Sequence, residues 1–352
     1  MRYAVIGCGR ISPNHIAAAL ENGLEIVALC DVVESAAQEK AERFGLEGVK
    51  LYTDYCEMLE NEDLELVAIC TESGKHGTIA LDCLAYGVHL IIEKPIALSL
   101  NEADKIIEKS KEKNLKVCAC HQNRFNKSIQ KVRSAIEQNK FGKLFHGTAH
   151  IRWNRGEEYY RQAPWRGTWE QDGGALMNQC IHNIDLLRWL MGGRIVEVIG
   201  MTDNLNHDYL EAEDFGMAMV RFENGSYGII EGTTNVYPQN LEETLYLFGE
   251  KGTVKVGGKS VNIIEEWRFA DSEEESEEVK RSFSEHPPNV YGFGHSPLYQ
   301  DVILAIREDR PPYVTAQDGR DALELVLAIY LSSKNRMSVS FPIKHGSTMD
   351  FR

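Results

Sequence analysis

The stretch that decides the fold is YAVIGCGRIS, residues 3–12. Its first residues form a short apolar run typical of a buried strand, and the loop Gly7-x-Gly9-x-x-Ser12 follows directly. Gly7 permits a tight turn, Gly9 lets a pyrophosphate approach the backbone, and the next helix would offer free amides at its N-terminus. The pattern predicts a dinucleotide site. A plain strand-to-helix turn is the alternative, because Ser12 replaces the usual third glycine.

An acidic residue stands where such a loop requires one. Asp31 follows a second apolar run, about twenty residues downstream, where a carboxylate would bind the ribose hydroxyls and repel a 2′-phosphate. We therefore expect NAD rather than NADP, and the alternative role for Asp31 is a helix cap. The predicted cofactor contacts in this part of the chain are Gly7, Gly9, Arg10, Ile11 and Asp31.

Outward from this loop, short apolar runs alternate with helical patterns up to about residue 121. Strands are expected at 3–6, 26–30, 64–70, 88–92 and 115–120, and helices at 14–21, 35–44, 77–86 and 100–113. Because the strands are apolar throughout, both faces of their sheet should be covered, as in a doubly wound parallel sheet. Residues 1–122 are predicted to form an NAD-binding Rossmann domain.

The pattern changes in the remaining residues, 123–352. The Asn224-Gly225 turn between two alternating runs predicts a hairpin, and the almost wholly acidic residues 271–278 predict a solvated loop. Strands are expected at 144–153, 215–222, 227–233, 244–248, 253–256 and 261–264, and helices at 128–138, 174–191, 298–308 and 318–333. We predict an α+β domain with a mixed or antiparallel sheet, used for substrate binding and oligomerisation.

Composition excludes several classes of protein. The 352 residues are 43% apolar and 26% charged, and their formal charge of −15 disfavours a nucleic-acid partner. No apolar run reaches the ~18 residues needed to cross a bilayer, and the N-terminus lacks the pattern of a signal peptide. The eight cysteines lie mostly in apolar runs without a CxxC pair, so we expect no metal site and a reducing, cytoplasmic location.

Glu93-Lys94-Pro95 directly follows the strand predicted at 88–92. Ligands of doubly wound sheets bind beyond the carboxyl ends of the strands, so Glu93 and Lys94 would lie beside the nicotinamide. A surface lysine is the alternative. Thr71 and His76 follow the preceding strand and would line the same rim, although His76 is equally placed to begin a helix.

A second polar group lies on the apolar helix predicted at 174–191. Asn178, His182 and Asp185 are spaced i, i+4 and i+7, so they share one stripe of that helix. An isolated histidine there is commonly structural. A neighbouring carboxylate and amide would instead fix its tautomer and let it act as a base.

Residues 152–169 are a basic and aromatic segment in an acidic protein. Four arginines and five aromatics lie there, and such a segment suits an anion that carries flat or sugar surfaces. A subunit contact is the alternative, because arginine and aromatic residues also dominate protein interfaces. The candidate substrate-binding residues are Arg155, Tyr160, Trp165, Arg166, Asn178 and His182.

On these motifs, together with HQNRFN (121–126) and the final helices, the chain resembles the Gfo/Idh/MocA oxidoreductase family. The resemblance implies that Lys94 contacts substrate and nicotinamide, often with a cis peptide before the proline, and that His182 is the acid/base. The family commonly has Asp at the position of Asn178. An amide cannot act as an acid, so the resemblance implies that Asn178 binds a substrate hydroxyl. The three candidate catalytic residues are Lys94, His182 and Asn178. A homodimer or homotetramer packed through the second domain's sheet is also implied.

The segment 152–174 looks most like the members that oxidise UDP-N-acetylglucosaminuronic acid at its 3-hydroxyl. The resemblance therefore implies an NAD-dependent dehydrogenase whose arginines meet a carboxylate and a diphosphate. Two alternatives stay open: a dehydrogenase of a free sugar or inositol, and a non-catalytic NAD-binding regulator. The presence of both Lys94 and His182 argues against the regulator, because a sensor does not need them.

Overall fold

The computed structural model describes residues 1–270 and 276–352, and these form two compact units. The first contains Met1–His121 and His295–Arg320, and the second contains Gln122–Gly294 and Asp321–Arg352. The sequence division at residue 122 placed His295–Arg320 in the second domain, whereas in the structure this segment packs on the first unit. Elements are labelled below in chain order.

The first unit is built on a six-stranded parallel sheet. Its strands are β1 (Arg2–Ile6), β2 (Glu25–Cys30), β3 (Lys50–Tyr52), β4 (Leu66–Ile69), β5 (His89–Ile92) and β6 (Val117–Ala119). They are ordered β3-β2-β1-β4-β5-β6, so the direction of strand succession reverses between β1 and β4. This is the Rossmann order, and the loop after β1 lies at the switch point where such sheets bind dinucleotides. The predicted fold class is confirmed.

Helices cover this sheet. They are α1 (Ser12–Glu21), α2 (Glu34–Phe44), α3 (Tyr55–Asn61), α4 (His76–Ala85), α5 (Leu100–Glu112) and α10 (His295–Arg307). The buried hydroxyls of Tyr3 on β1 and Tyr299 on α10 lie 2.7 Å apart. Periodicity along the chain cannot reveal this pairing, because it joins the first strand to a helix almost three hundred residues later. The contact explains why α10 belongs to the first unit.

The second unit contains an eight-stranded mixed sheet. Its strands are β7 (Leu144–Arg152), β8 (Ile195–Asp203), β9 (Phe215–Phe222), β10 (Tyr227–Thr233), β11 (Glu242–Gly249), β12 (Gly252–Gly257), β13 (Ile263–Phe269) and β14 (Val339–Ser340). The order is β13-β12-β11-β7-β10-β9-β8-β14, with β7 and β10 parallel and the other neighbours antiparallel. Gly225 has a φ of +82°, as the predicted turn between β9 and β10 requires.

Helices of the second unit include α6 (Lys127–Glu137), α7 (Glu157–Arg161), α8 (Ile181–Met191) and α9 (Ser276–Phe283), and α11 (Ala316–Asn335) runs through the division at residue 320. The loop predicted for residues 271–278 is wrong at its end, since residues 276–278 begin α9. Residues 271–275 of that prediction lie outside the described residues. In the part of the chain that the structure describes, no helix has the length and hydropathy needed to cross a membrane.

The sheet of the second unit has one buried and one exposed apolar face. Helix α8 packs on β7, β10 and β11. On β8, β9 and β10, alternate residues point the other way, and large apolar side chains are exposed there: Ile199, Met201, Met217, Met219, Tyr227 and Ile229. This face, which we call the open sheet face, is defined by those six residues.

Candidate active site

The glycine loop after β1 has the geometry that a bound pyrophosphate requires. Gly7 has a φ of +93°, and a Cβ there would lie 2.6 Å from the carbonyl carbon of Cys70, so only glycine fits. A Cβ built on Gly9 meets nothing within 4 Å, so the loop stays open to a ligand. Ser12 is fully buried, and its hydroxyl donates a hydrogen bond of 2.8 Å to the Gly9 carbonyl. A small hydroxyl thus occupies the third glycine position and stabilises the turn.

Asp31 lies beside this loop at the end of β2. Its carboxylate accepts hydrogen bonds from the amides of Cys8 and Val33, each at 2.8 Å. The side chain remains partly exposed. The open glycine loop, the start of α1 and this carboxylate fit the pyrophosphate and ribose of NAD.

The segment after β5 is held by a buried histidine. The Lys94–Pro95 peptide bond is cis. His76 begins α4, and its Nδ1 and Nε2 lie 2.7 Å and 3.1 Å from the carbonyl oxygens of Pro95 and Thr71. Burial lowers the pKa of His76, and the two carbonyl contacts act in the opposite direction. The His76 ring therefore stabilises the segment that carries Lys94 through its contact with the Pro95 carbonyl. Contact of His76 with the cofactor stays a prediction.

The helix that carries His182 begins irregularly in the second unit. Residues Leu176–Cys180 form a π-helical turn that continues into α8. Glu213 lies beneath this start, where its Oε1 accepts hydrogen bonds from the Leu176 amide at 2.7 Å and the Tyr330 hydroxyl at 3.0 Å. A Cβ on Gly174 would overlap the Glu213 carboxylate, so glycine is required there. Burial raises the pKa of Glu213 to about 8.

Asn178 and Asp185 have separate partners. Asn178 donates a hydrogen bond to Asp172, and its own Oδ1 accepts one of 2.7 Å from Gln179. Asp185 is fully buried and accepts hydrogen bonds of 2.7 and 2.6 Å from the guanidinium of Arg124. A buried carboxylate needs a counter-charge, and Arg124 supplies one to Asp185. His182 is half-buried on the first turn of α8.

The four arginines of the basic segment fall into two groups. Arg152 forms ion pairs with Glu231 and Glu242 across the sheet. Arg161 is exposed and pairs with Glu157 on α7. Arg155 and Arg166 make up the second group and stack on aromatic rings.

Arg155 and Arg166 meet at Tyr159. Their guanidinium carbons lie 5.1 and 4.3 Å from the centre of its ring. Gln179 donates a hydrogen bond of 2.9 Å to the Tyr159 hydroxyl, and Arg155 donates one of 3.1 Å to Gln179. Since Gln179 also contacts Asn178, the structure brings the predicted Arg155, Arg166 and Asn178 together. We call Arg155, Tyr159, Arg166 and Gln179 the arginine cluster.

Two residues of the arginine cluster, Tyr159 and Gln179, were not among the candidates selected from the sequence. The tyrosine selected was Tyr160, but Tyr160 is buried, with its hydroxyl 3.2 Å from that of Thr234 and its ring packed on His207. Tyr159, which is half-buried, contacts the two arginines instead. Helix α7 is a single short turn, so its periodicity does not show which tyrosine faces the core. Trp165 lies at the cluster, 4.6 Å from the Arg166 guanidinium carbon.

Known proteins share this architecture. Residues 1–121 match the model of an oxidoreductase family with an NAD-binding Rossmann fold, and residues 129–255 match the Gfo/Idh/MocA C-terminal domain. The crystal structure of the WlbA dehydrogenase from Bordetella pertussis, in complex with NADH and UDP-GlcNAcA, is 37% identical with a TM-score of 0.90 and covers 98% of both chains. This chain belongs to the Gfo/Idh/MocA oxidoreductase family.

Other members of the Gfo/Idh/MocA family are also similar over the full length. A WlbA structure from Chromobacterium violaceum is 34% identical, with a TM-score of 0.90 over 98% of this chain and 96% of that one. Myo-inositol 2-dehydrogenase of Thermotoga maritima is 26% identical over 96% of this chain and 98% of its own. The protein is thus an NAD-dependent oxidoreductase of a family that acts on sugar or inositol hydroxyls.

Proposed function

We propose that the protein oxidises the 3-hydroxyl of a UDP-linked N-acetylhexosaminuronic acid, with NAD as the oxidant. The observation that carries this proposal is the environment of Arg166. Its Nε is buried without a hydrogen-bond partner among the described residues, and its Nη1 donates a hydrogen bond to the neutral Tyr159 hydroxyl. An anionic ligand would provide the missing acceptor.

The link from the arginine cluster to the helix supports a sugar that carries the anion. Gln179 contacts both Tyr159 and Asn178, and His182 lies one turn further along. An amide and an imidazole suit hydroxyl groups, whereas the arginine forks suit a carboxylate or a diphosphate. The aromatic faces of the same cluster suit a ring. A nucleotide-linked uronic acid carries all of these groups: sugar hydroxyls, a carboxylate, a diphosphate and rings.

The chemistry is divided among these groups. We propose that neutral His182 takes the proton of the hydroxyl, while the Lys94 ammonium stabilises the negative charge that develops on its oxygen. Asn178 donates a hydrogen bond to a sugar oxygen. The glycine loop and Asp31 would hold NAD, which accepts the hydrogen and electron pair lost from carbon. The hydroxyl becomes a ketone, and one proton remains on His182.

A second candidate function has its own support. The myo-inositol 2-dehydrogenase of T. maritima and the scyllo-inositol 2-dehydrogenase of Bacillus subtilis match nearly the whole chain at 26% and 25% identity. A free polyol would leave the arginine cluster without an anionic ligand. The greater identity to the two WlbA structures, 37% and 34%, favours the uronic acid.

The experiment is NADH formation by the purified protein. NAD is mixed with UDP-N-acetylglucosaminuronic acid, UDP-N-acetylglucosamine or myo-inositol in parallel, and Lys94→Met serves as the catalytic control. We expect turnover of the uronic acid alone, and loss of turnover with retained NAD binding in Lys94→Met. Turnover of inositol instead would establish the second candidate. Undiminished activity of Lys94→Met would contradict the role given to Lys94.

A further inference from the structure

A buried carboxylate lies directly before Lys94. Glu93 is 6% exposed, and its Oε2 accepts a hydrogen bond of 3.1 Å from the backbone amide of Lys94. Its other oxygen lies 2.9 Å from Nε2 of His15 on α1. The carboxylate therefore joins the backbone of Lys94 to a side chain of the first helix.

The contacts continue beyond His15. Its Nδ1 lies 2.7 Å from the Tyr299 hydroxyl, which lies 2.7 Å from the Tyr3 hydroxyl. His15, Tyr299 and Tyr3 are all fully buried. We call the series Tyr3, Tyr299, His15 and Glu93 the buried relay. All four residues belong to the first unit.

One arrangement of protons satisfies every donor of the relay. Tyr3 donates to Tyr299, Tyr299 donates to Nδ1 of His15, and Nε2–H of His15 donates to Glu93. With a doubly protonated His15 the direction reverses, and the Tyr3 hydroxyl is left without an acceptor. Burial alone would raise the pKa of Glu93, but the His15 hydrogen bond and the neighbouring His295 ring hold that pKa well below its usual range. The terminal acceptor is thus a carboxylate.

His295 and Cys120 also lie at this carboxylate. The four potential ligand atoms of His15, Glu93, Cys120 and His295 lie within 4.8 Å of one another, a set of types that Zn²⁺ accepts. Nε2 of His295 is 3.9 Å from Glu93. Burial raises the pKa of Cys120 well above its usual range, which keeps the thiol protonated. Nε2 of His15 lies at hydrogen-bond distance from Glu93, 2.9 Å, and we therefore treat these residues as a hydrogen-bonded cluster.

We propose that Tyr299 and His15 are positioning residues for catalysis: they hold the Glu93 carboxylate, which fixes the backbone of Lys94. The inference rests on the catalytic role proposed for Lys94. It also gives a function to α10, the late segment that packs on the first unit, because α10 carries Tyr299. A small error in the position of a catalytic group lowers turnover more than it lowers binding.

The test uses Tyr299→Phe, which removes one hydroxyl and keeps the ring. The matched control is Tyr55→Phe, because the Tyr55 hydroxyl also donates to a carboxylate of the first unit, Asp82, at 2.8 Å. We expect Tyr299→Phe to lower kcat roughly three- to tenfold, with both KM values essentially unchanged. The Lys94 amide should exchange with deuterium faster than in the wild type. Tyr55→Phe should change neither quantity.

Hydrogen exchange separates this inference from the proposed function. If the wild type turns over no sugar but Tyr299→Phe still speeds exchange at Lys94, the proposed function fails and the relay stands. Unchanged exchange in Tyr299→Phe overturns the relay, as does a kcat equal to that of Tyr55→Phe. A third experiment is dialysis of the purified protein against Zn²⁺. One equivalent of zinc retained by the wild type and lost in Cys120→Ser would identify a metal site and overturn the relay. A protein that retains no zinc supports the relay.

Discussion

Arg166 and Arg161 belong to the same segment but differ in their surroundings. Arg161 is exposed and paired with Glu157, whereas Arg166 has a buried Nε and lies against Tyr159 and Trp165. A hydrogen bond to a charged ligand contributes about 1.5–3 kcal/mol. Arg166→Ala should therefore lower kcat/KM for the uronic acid by roughly tenfold to a hundredfold. Arg161→Ala should leave it nearly unchanged.

The variant Arg166→Lys tests whether the charge alone accounts for substrate binding by Arg166. Lysine keeps the charge but cannot form the two parallel hydrogen bonds of a guanidinium, so Arg166→Lys should recover only part of the loss. Steady-state kinetics on the three variants is the measurement. Equal effects of Arg166→Ala and Arg161→Ala would show that Arg166 has no specific role in binding the substrate.

From a segment with four arginines, the sequence analysis selected Arg155 and Arg166 as candidate substrate-binding residues. It selected Tyr160 and not Tyr159, the tyrosine that contacts both arginines, because neighbouring residues on a five-residue helix have no periodicity to separate them. It also grouped Asp185 with His182, since spacing along a helix does not reveal that Arg124 arrives from another element to neutralise that carboxylate.

The start of the His182 helix contains a pH-sensitive carboxyl group, that of Glu213. Burial raises the pKa of Glu213 from an ordinary 4.5 to about 8. Between these values the folded protein binds more protons at this site than the unfolded chain does, so the site's contribution to stability falls as pH rises. Glu213→Gln removes the titration and keeps an oxygen that accepts from Leu176 and Tyr330.

The free energies of unfolding of wild type and Glu213→Gln should therefore diverge with pH. The wild type should lose stability relative to the variant by on the order of 1 kcal/mol for each pH unit between about pH 5 and 8. Urea unfolding at several pH values in this window measures the difference. Parallel stability curves would show that Glu213 is already ionised in the folded protein.

Most elements were predictable because their apolar patterns are strong. Strands β9 and β10 begin and end where the Asn224-Gly225 hairpin pattern placed them. Strand β3 was missed because it has three residues and none is fully buried, and β8 was missed although it has nine residues. The π-helical turn was predicted as ordinary helix. An apolar run fits either form, and it does not reveal that the distant Glu213 binds the Leu176 amide at the start of this turn.

For the whole molecule, we propose that the open sheet face joins copies of this chain. A monomer rarely exposes so many large apolar side chains together. Met217→Glu with Met219→Glu should convert an oligomer to a monomer in sedimentation velocity and leave NAD binding intact. Met337→Glu is the control, because Met337 is 60% exposed but lies outside this face. A monomeric wild type would contradict the proposal.

The two-part organisation followed from the change of pattern near residue 122, but the return of His295–Arg320 to the first unit did not. That return depends on buried side-chain pairs such as Tyr3 and Tyr299, which are distant in sequence. Sequence patterns report the periodicity of an element and its local signals. They do not report which distant element it packs on.

The most direct test of the account follows the hydrogen that leaves the sugar. UDP-N-acetylglucosaminuronic acid carrying deuterium at C3 is incubated with NAD and the protein, and the reduced cofactor is isolated and analysed by mass spectrometry. We predict reduced cofactor that carries one deuterium, because the C3–H bond is the one broken. Reduced cofactor without deuterium would contradict oxidation at C3, and no reduced cofactor would contradict this substrate.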